Sequence, residues 1–172
     1  MSGTSPDPSG SRPITIRAGT PADADAILAV HRRSILQLGR AVYSDAEVES
    51  WAHGLTADRY VRAMGEEGTT FLLAIDAAAR VIGFCSLKDD VVRGLYVDPS
   101  CPRSGIGRTL LQRAEAEIVA AGHKTVRVQA SLAGRPFYEA QGYEIFEEHD
   151  WKSRGGLEIA VAEMIKTIAG PS

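Results

Sequence analysis

Apolar residues along this chain switch between two spacings, and the switches mark out its elements. Ile14-Thr15-Ile16-Arg17 alternates as a short strand does. Thr20-Pro21-Ala22-Asp23 follows, with an N-cap, a proline in the first helical position and an acid in the first turn. The helix it opens carries Ile27, Leu28, His31, Ile35 and Leu38 on one side and ends near Gly39. Ser44-Asp45-Ala46-Glu47 is close to a capping box and starts a second helix, with Val48 and Trp51 on its apolar face. Tyr60, Val61 and Met64 mark a short third helix that stops at Gly65. Strands are predicted over 69–75 and 80–87, joined through 76–79, and Asp89-Asp90 turns the chain into a third apolar run, 91–97. Leu110, Leu111, Ala114 and Ile118 then recur at helical spacing as far as Gly122. Val126 and Val128 share one face of a strand over 124–130, and 136–141 form a helix stopped by Gly142. Strands over 143–149 and 157–168, joined by a polar turn with Gly155-Gly156, complete the series. The succession predicts an α/β (α+β) fold, a mixed and mostly antiparallel central sheet with helices on both faces.

The most informative junction follows the strand 91–97. Asp98-Pro99 ends it, because proline fixes φ and cannot donate to a ladder. The loop Ser100-Cys101-Pro102-Arg103-Ser104-Gly105-Ile106-Gly107-Arg108-Thr109 leads straight into the next helix. A helix start carries unpaired N–H groups and the positive end of the dipole, which attract anions. Gly105 and Gly107 let a bulky group approach the backbone, and Arg103 and Arg108 add positive charge. We read a phosphate cradle, against the alternative of a tight turn with no ligand. It is not a P-loop, because no Gly-Lys-Ser/Thr occurs, and it is not a dinucleotide fingerprint, whose third glycine would stand where Leu110 does.

Composition narrows the classes. The 172 residues suffice for one domain, assigned here to 14–168, and residues 1–13, rich in Ser, Gly and Pro, are expected to form a disordered tail. A net charge of −3 gives no basic field for nucleic acid or an anionic membrane. Cys85 and Cys101 lack metal-type spacing; a disulfide between them is one reading and a reduced, cytoplasmic protein is the simpler one. No apolar run is long enough to span a bilayer, and no metal site is expected.

The cradle resembles motif A of the GNAT N-acetyltransferase superfamily, in which V-D-P closes a strand and [QR]-x-x-G-x-[GA] holds the pyrophosphate of acetyl-coenzyme A. Downstream, Arg135-Pro136-Phe137-Tyr138-Glu139-Ala140-Gln141-Gly142-Tyr143 resembles that superfamily's F-Y-E-x-x-G-[FY] segment. The resemblance extends from about Ile14 to Ile168. Two positions depart from it: Pro102 stands where Gln or Arg is usual, with arginine displaced to Arg103, and Ser131 replaces the usual Asn.

The resemblance implies a fold, a cosubstrate and a set of roles. Acetyl-coenzyme A would lie along the backbone of Leu95, Tyr96 and Val97, its phosphates on Arg103, Ser104, Gly105, Ile106, Gly107, Arg108 and Thr109, with Ser131 and Tyr138 near the arm. Tyr138 would protonate or hydrogen-bond the departing sulfur, or else it is a packing tyrosine. Tyr43 and Trp51 lie where the superfamily lines its acceptor pocket, and His31 is assigned to the same side, although His31 reads more readily as a core histidine and Trp51 equally as core packing. No residue stands out as a general base. The activity implied is acetyl transfer to a primary amine, on a small molecule or an exposed protein amine, directly within a ternary complex. A non-catalytic acyl-coenzyme A sensor is the alternative, and a homodimer through the final strands is a further expectation.

Overall fold

The computed structural model describes residues 13–168, so the expected tail lies outside the described residues except for Pro13. Among them, seven strands form one sheet: β1 Thr15–Ala18, β2 Thr70–Ile75, β3 Val81–Lys88, β4 Val91–Val97, β5 Thr125–Ser131, β6 Glu144–Lys152 and β7 Glu158–Thr167. The helices are α1 Ala24–Leu38, α2 Asp45–Ala52, α3 Ala57–Gly65, α4 Ile106–Ala120 and α5 Arg135–Ala140. In the spatial order β1-β2-β3-β4-β5-β7-β6, only the central junction, β4 with β5, is parallel.

Local chemistry sets the helix ends. The Ser44 N–H donates to Glu47 Oε2 at 2.7 Å while the Glu47 N–H donates to Ser44 Oγ at 3.2 Å, closing the capping box of α2. Before α1 the chain takes one 3₁₀ turn over Pro21–Asp23, in which the Thr20 N–H donates to Asp23 Oδ2. Arg17 grips both oxygens of Asp23, and this hydrogen-bonded pair holds the carboxyl at about 2.

Strands β2 and β3 are buried on both faces, because helices cover both. Phe71, Leu73 and Phe84 meet Ile27 and Val30 of α1, and Leu72, Ala74, Cys85 and Leu87 meet Leu110, Leu111, Ala114 and Ile118 of α4. Gly83 admits α4 closely: a Cβ there would lie 3.2 Å from the Ile106 side chain. The sheet and its two helical layers are those the alternation predicts. Strand β6 runs three residues beyond its predicted end at His149, to Lys152, because Trp151 pairs with Ile159 and packs beside α2.

The central junction is the part of the fold that matters for function. Strands β4 and β5 pair only through Val91 with Arg127 and Val92 with Val128. A bulge on β4 at Arg93 follows, and from there the two strands carry no mutual ladder. Strand β5 continues along β7 as far as Ser131, so the sheet opens between Leu95-Tyr96-Val97 and Gln129-Ala130-Ser131.

Candidate active site

The loop after β4 is built around Asp98. The Ser100 N–H and hydroxyl both donate to Asp98 Oδ1, at 3.0 and 2.8 Å, and Arg33 of α1 pairs with Oδ2. Burial works to raise the Asp98 pKa, but these partners outweigh it and the carboxyl is held below its usual range. The Cys101 N–H closes a turn onto the Asp98 carbonyl at 2.9 Å, with Pro99 inside it. Arg103 and then Gly105 take left-handed backbone, φ 51° and 75°, which aims the chain into α4. The first helical bond runs from the Thr109 N–H to the Gly105 carbonyl, at 3.0 Å. The N–H groups of Ile106, Gly107 and Arg108 therefore precede any helical partner. Arg103 and Arg108 are exposed beside them and make no ion pair among the described residues. The Thr109 hydroxyl turns back to the Gly105 carbonyl, and the Ile106 side chain is core, so these two offer backbone rather than side-chain groups.

Two cavities meet at the open junction. One, of about 430 Å³, lies between α1, α4 and α5 and is lined by Leu38, Val42, Leu95, Val97, Gly107, Leu132 and Phe137 among others, none of them charged. Leu38 and Val42 are about half exposed at its rim. The other, of about 280 Å³, opens between α3, β4 and the β6–β7 turn, and its wall includes Arg59, Glu67, Arg93, Arg154, His31 and Tyr60. Trp51, Leu95, Tyr96, Ser131, Gly134 and Tyr138 belong to both.

Tyr138 stands where the cavities join. It is 6% exposed on α5, and burial raises its phenol well above the usual 10, so it remains protonated. Its hydroxyl makes no hydrogen bond among the described residues, and the side chain lines both cavities. Ser131 holds the loop ahead of it, its Oγ accepting the Gly134 N–H at 3.1 Å.

A profile of the acetyltransferase (GNAT) domain matches residues 40–160, more than half of the chain. The chain belongs to the GNAT acetyltransferase family. YafP of Escherichia coli (strain K12), an uncharacterized N-acetyltransferase, is 25% identical over 145 residues, 83% of this chain and 89% of that protein. The GCN5-related N-acetyltransferase of Rhodopseudomonas palustris superposes with a TM-score of 0.82 at 29% identity, covering 90% of this chain and 95% of the other. The PaiA N-acetyltransferase of Thermoplasma acidophilum, solved in complex with coenzyme A, shares the fold at a TM-score of 0.71 and 23% identity, covering 90% and 99%.

In this GNAT acetyltransferase the residues considered from sequence for the acceptor side divide. His31 lines the charged cavity, sharing a 2.8 Å hydrogen bond with Tyr60 and stacking 4.1 Å from the Tyr96 ring. Burial, with the charges of Arg154 and Arg59 behind it, pushes His31 down to about 3, so it is neutral. Trp51 lines both cavities. Tyr43 lines neither: its hydroxyl donates to the Ala160 carbonyl at 2.6 Å and accepts the Leu132 N–H at 2.8 Å, tying the loop after β5 to β7. The Tyr96 side chain forms part of the charged cavity's wall, and Gly94 leaves it room, since a Cβ there would lie 2.9 Å from that ring.

Arg59, Glu67, Arg93 and Arg154 escaped the sequence reading. Arg154 sits in the β6–β7 turn, which docks onto α2: the Gly155 N–H donates to the Ser50 carbonyl at 2.9 Å, and Ser50 and Ser153 hydroxyls meet at 2.6 Å. A Cβ on Gly155 would lie 2.4 Å from Ser50 Oγ, so this turn admits no side chain there. The Gly155-Gly156 pair was the available signal, although by itself it marks only a turn. Cys85 is fully buried, its thiol pushed up by burial, and neither it nor Cys101 lines either of these two cavities; both are free thiols.

Proposed function

We propose that this enzyme transfers the acetyl group of acetyl-coenzyme A directly to a primary amine, with the cosubstrate in the apolar cavity and the acceptor in the charged one. The observation that carries the reading is the opening between β4 and β5, where two cavities of different character share Tyr138. The residues fit the cosubstrate. The free N–H groups at Ile106, Gly107 and Arg108, with Arg103 and Arg108, suit a pyrophosphate. The uncharged walls beyond Gly107 suit a neutral pantetheine arm, and β4 past Val92 has no neighbour on the β5 side, so the arm can add to it as a strand. Gly107 supports this use. A Cβ there would make only ordinary 3.6 Å contacts with Phe137 and Val97, so the fold does not require glycine, whereas a ligand close to that backbone does.

Bound acetyl-coenzyme A supplies an activated thioester. The chain's part is to orient it, exclude water and stabilise charge at the sulfur. Tyr138 offers a phenolic proton there. Because its pKa lies above that of a thiol, about 8.5, a hydrogen bond to developing charge is the larger part of its role. An ammonium acceptor with a pKa near 10.4 must lose a proton, which costs about 4.6 kcal/mol at neutral pH. Three arginines facing one glutamate lower that cost by disfavouring a further cation in the cavity. That Cys85 and Cys101 line neither cavity supports direct transfer over a cysteine acyl-enzyme. Release of free thiol from acetyl-coenzyme A, measured against a panel of amines, tests the reading. Amine-dependent release supports it. Tight acetyl-coenzyme A binding with no turnover on any amine would instead favour the sensor.

A further inference from the structure

The charged cavity carries more positive charge than its own groups balance. Arg59, Arg93 and Arg154 face it against one carboxylate, Glu67, which lies 3.6 Å from Arg93. Arg59 makes no ion pair among the described residues. Arg154 is half-buried, and its guanidinium meets no carboxylate: the carbonyls of Trp51 at 2.6 Å and His53 at 3.1 Å accept from it, and the Trp151 ring lies 5.9 Å from its central carbon. Burial and the nearby charge of Arg59 depress even this guanidinium's pKa. A half-buried guanidinium with no anionic partner keeps much of its desolvation cost until an anion arrives. Its position is also fixed in advance, because the turn that carries it is docked through Ser50, Ser153 and Gly155. Two polar atoms among the lining residues, His31 Nε2 and Thr69 Oγ1, have no partner. His31 is neutral, so it adds hydrogen-bonding capacity without more charge.

We propose that the acceptor is a small amine that also carries an anionic group, a carboxylate or a phosphoryl, which Arg154 and Arg59 bind while the amine faces Tyr138 and the junction. This rests on the acetyl-transfer reading and names its substrate class. The cavity's volume, about 280 Å³, accommodates a molecule of amino-acid size. The arrangement also separates two tasks. The anion fixes the molecule's orientation, and with a carboxylate bound the one positive charge left over still favours the neutral amine at its other end.

Matched sets of acceptors test this: an amino acid, its amide and its decarboxylated amine, alongside phosphoethanolamine and ethanolamine. Initial rates of thiol release are compared within each set, and calorimetry measures binding of the same compounds to the coenzyme A-loaded enzyme. At least one anionic member should exceed its matched partners by about tenfold or more in kcat/KM, the size of a charge-assisted hydrogen bond. Whether the carboxylate or the phosphoryl pair shows the larger ratio identifies the anion. Arg154→Gln should bring the anionic-to-neutral ratio close to one. Because that change could unsettle the docked turn, Arg59→Gln, at an exposed position, provides a second variant and should lower the ratio several-fold at an unchanged melting temperature. Preference for neutral or cationic amines, in rate or in binding, would overturn the proposal. So would a ratio unaffected by both variants. Failure of the wild type to bind acetyl-coenzyme A would overturn the acetyl-transfer reading instead, and the charge proposal would then be decided by calorimetry of the same matched sets on the protein alone.

Discussion

The two cavities that meet at Tyr138 have been built by different means. The apolar one has a wall without a formal charge, and Gly107 in that wall belongs to a single contiguous stretch, Asp98 to Thr109, in which turn, left-handed residues and helix start follow one another. The charged one gathers Arg59 from α3, Arg93 from the β4 bulge, Glu67 from the loop before β2 and Arg154 from the β6–β7 turn. A helix start that can take an anion is encoded locally, in one loop between a strand and a helix. A site for the variable partner is assembled from side chains that only the finished fold brings together, so it can change without disturbing the first.

The largest expected effect breaks the apolar side alone. Gly107→Glu should weaken acetyl-coenzyme A binding by about a hundredfold or more, because bulk and like charge would meet the phosphates. Acceptor binding and the melting curve should barely move. Gly107→Ala is the milder form: weaker binding in calorimetry, with stability unchanged or raised by up to about 1 kcal/mol from helix propensity. Unaltered affinity in both would remove the cosubstrate from this cavity.

The charged side has its own signature in pH. His31 sits at about 3 in the folded chain, against about 6.5 when unfolded. The unfolded state therefore takes up the proton first, and stability is lost as pH falls from about 6.5 towards 3, on the order of a few kcal/mol in all. Urea unfolding at pH 7 and pH 4 should show His31→Gln losing less than wild type by the larger part of that amount. An equal loss would mean that His31 is not held neutral in this wall.

The smallest effect concerns the cradle's arginines. Acetyl-coenzyme A affinity should fall with added salt, and Arg108→Ala should flatten that dependence, since exposed charges are screened over about 10 Å at 0.1 M salt. A salt-independent affinity would make Arg103 and Arg108 ordinary surface charges.

Legibility in the sequence follows the same division. The layers of the sheet were readable because alternation and helical spacing are local, and the capping box of α2 because its two partners are three residues apart. The turn and helix start after β4 were readable for the same reason. The opening between β4 and β5 was not, since nothing in either strand's pattern says where a ladder stops. Tyr43 read as a pocket residue from its neighbourhood, yet a hydroxyl that reaches Ala160 and Leu132 cannot be recognised from residues adjacent in sequence. Arg154 lies 95 positions from Arg59, and only the docking of its turn onto α2 brings the two to one wall.

The most direct test of the account is Tyr138→Phe, assayed where chemistry is rate-limiting. The substitution removes one hydroxyl that makes no hydrogen bond within the described residues, so melting temperature and coenzyme A affinity should hold. The account predicts a fall in kcat of roughly ten- to a thousand-fold, the range for loss of an acid or of one donor to developing charge. The fall should be smaller with an acyl donor whose thiol is more acidic. An unchanged kcat would contradict the account, because the phenol at the meeting point of the two cavities would then be packing and nothing more.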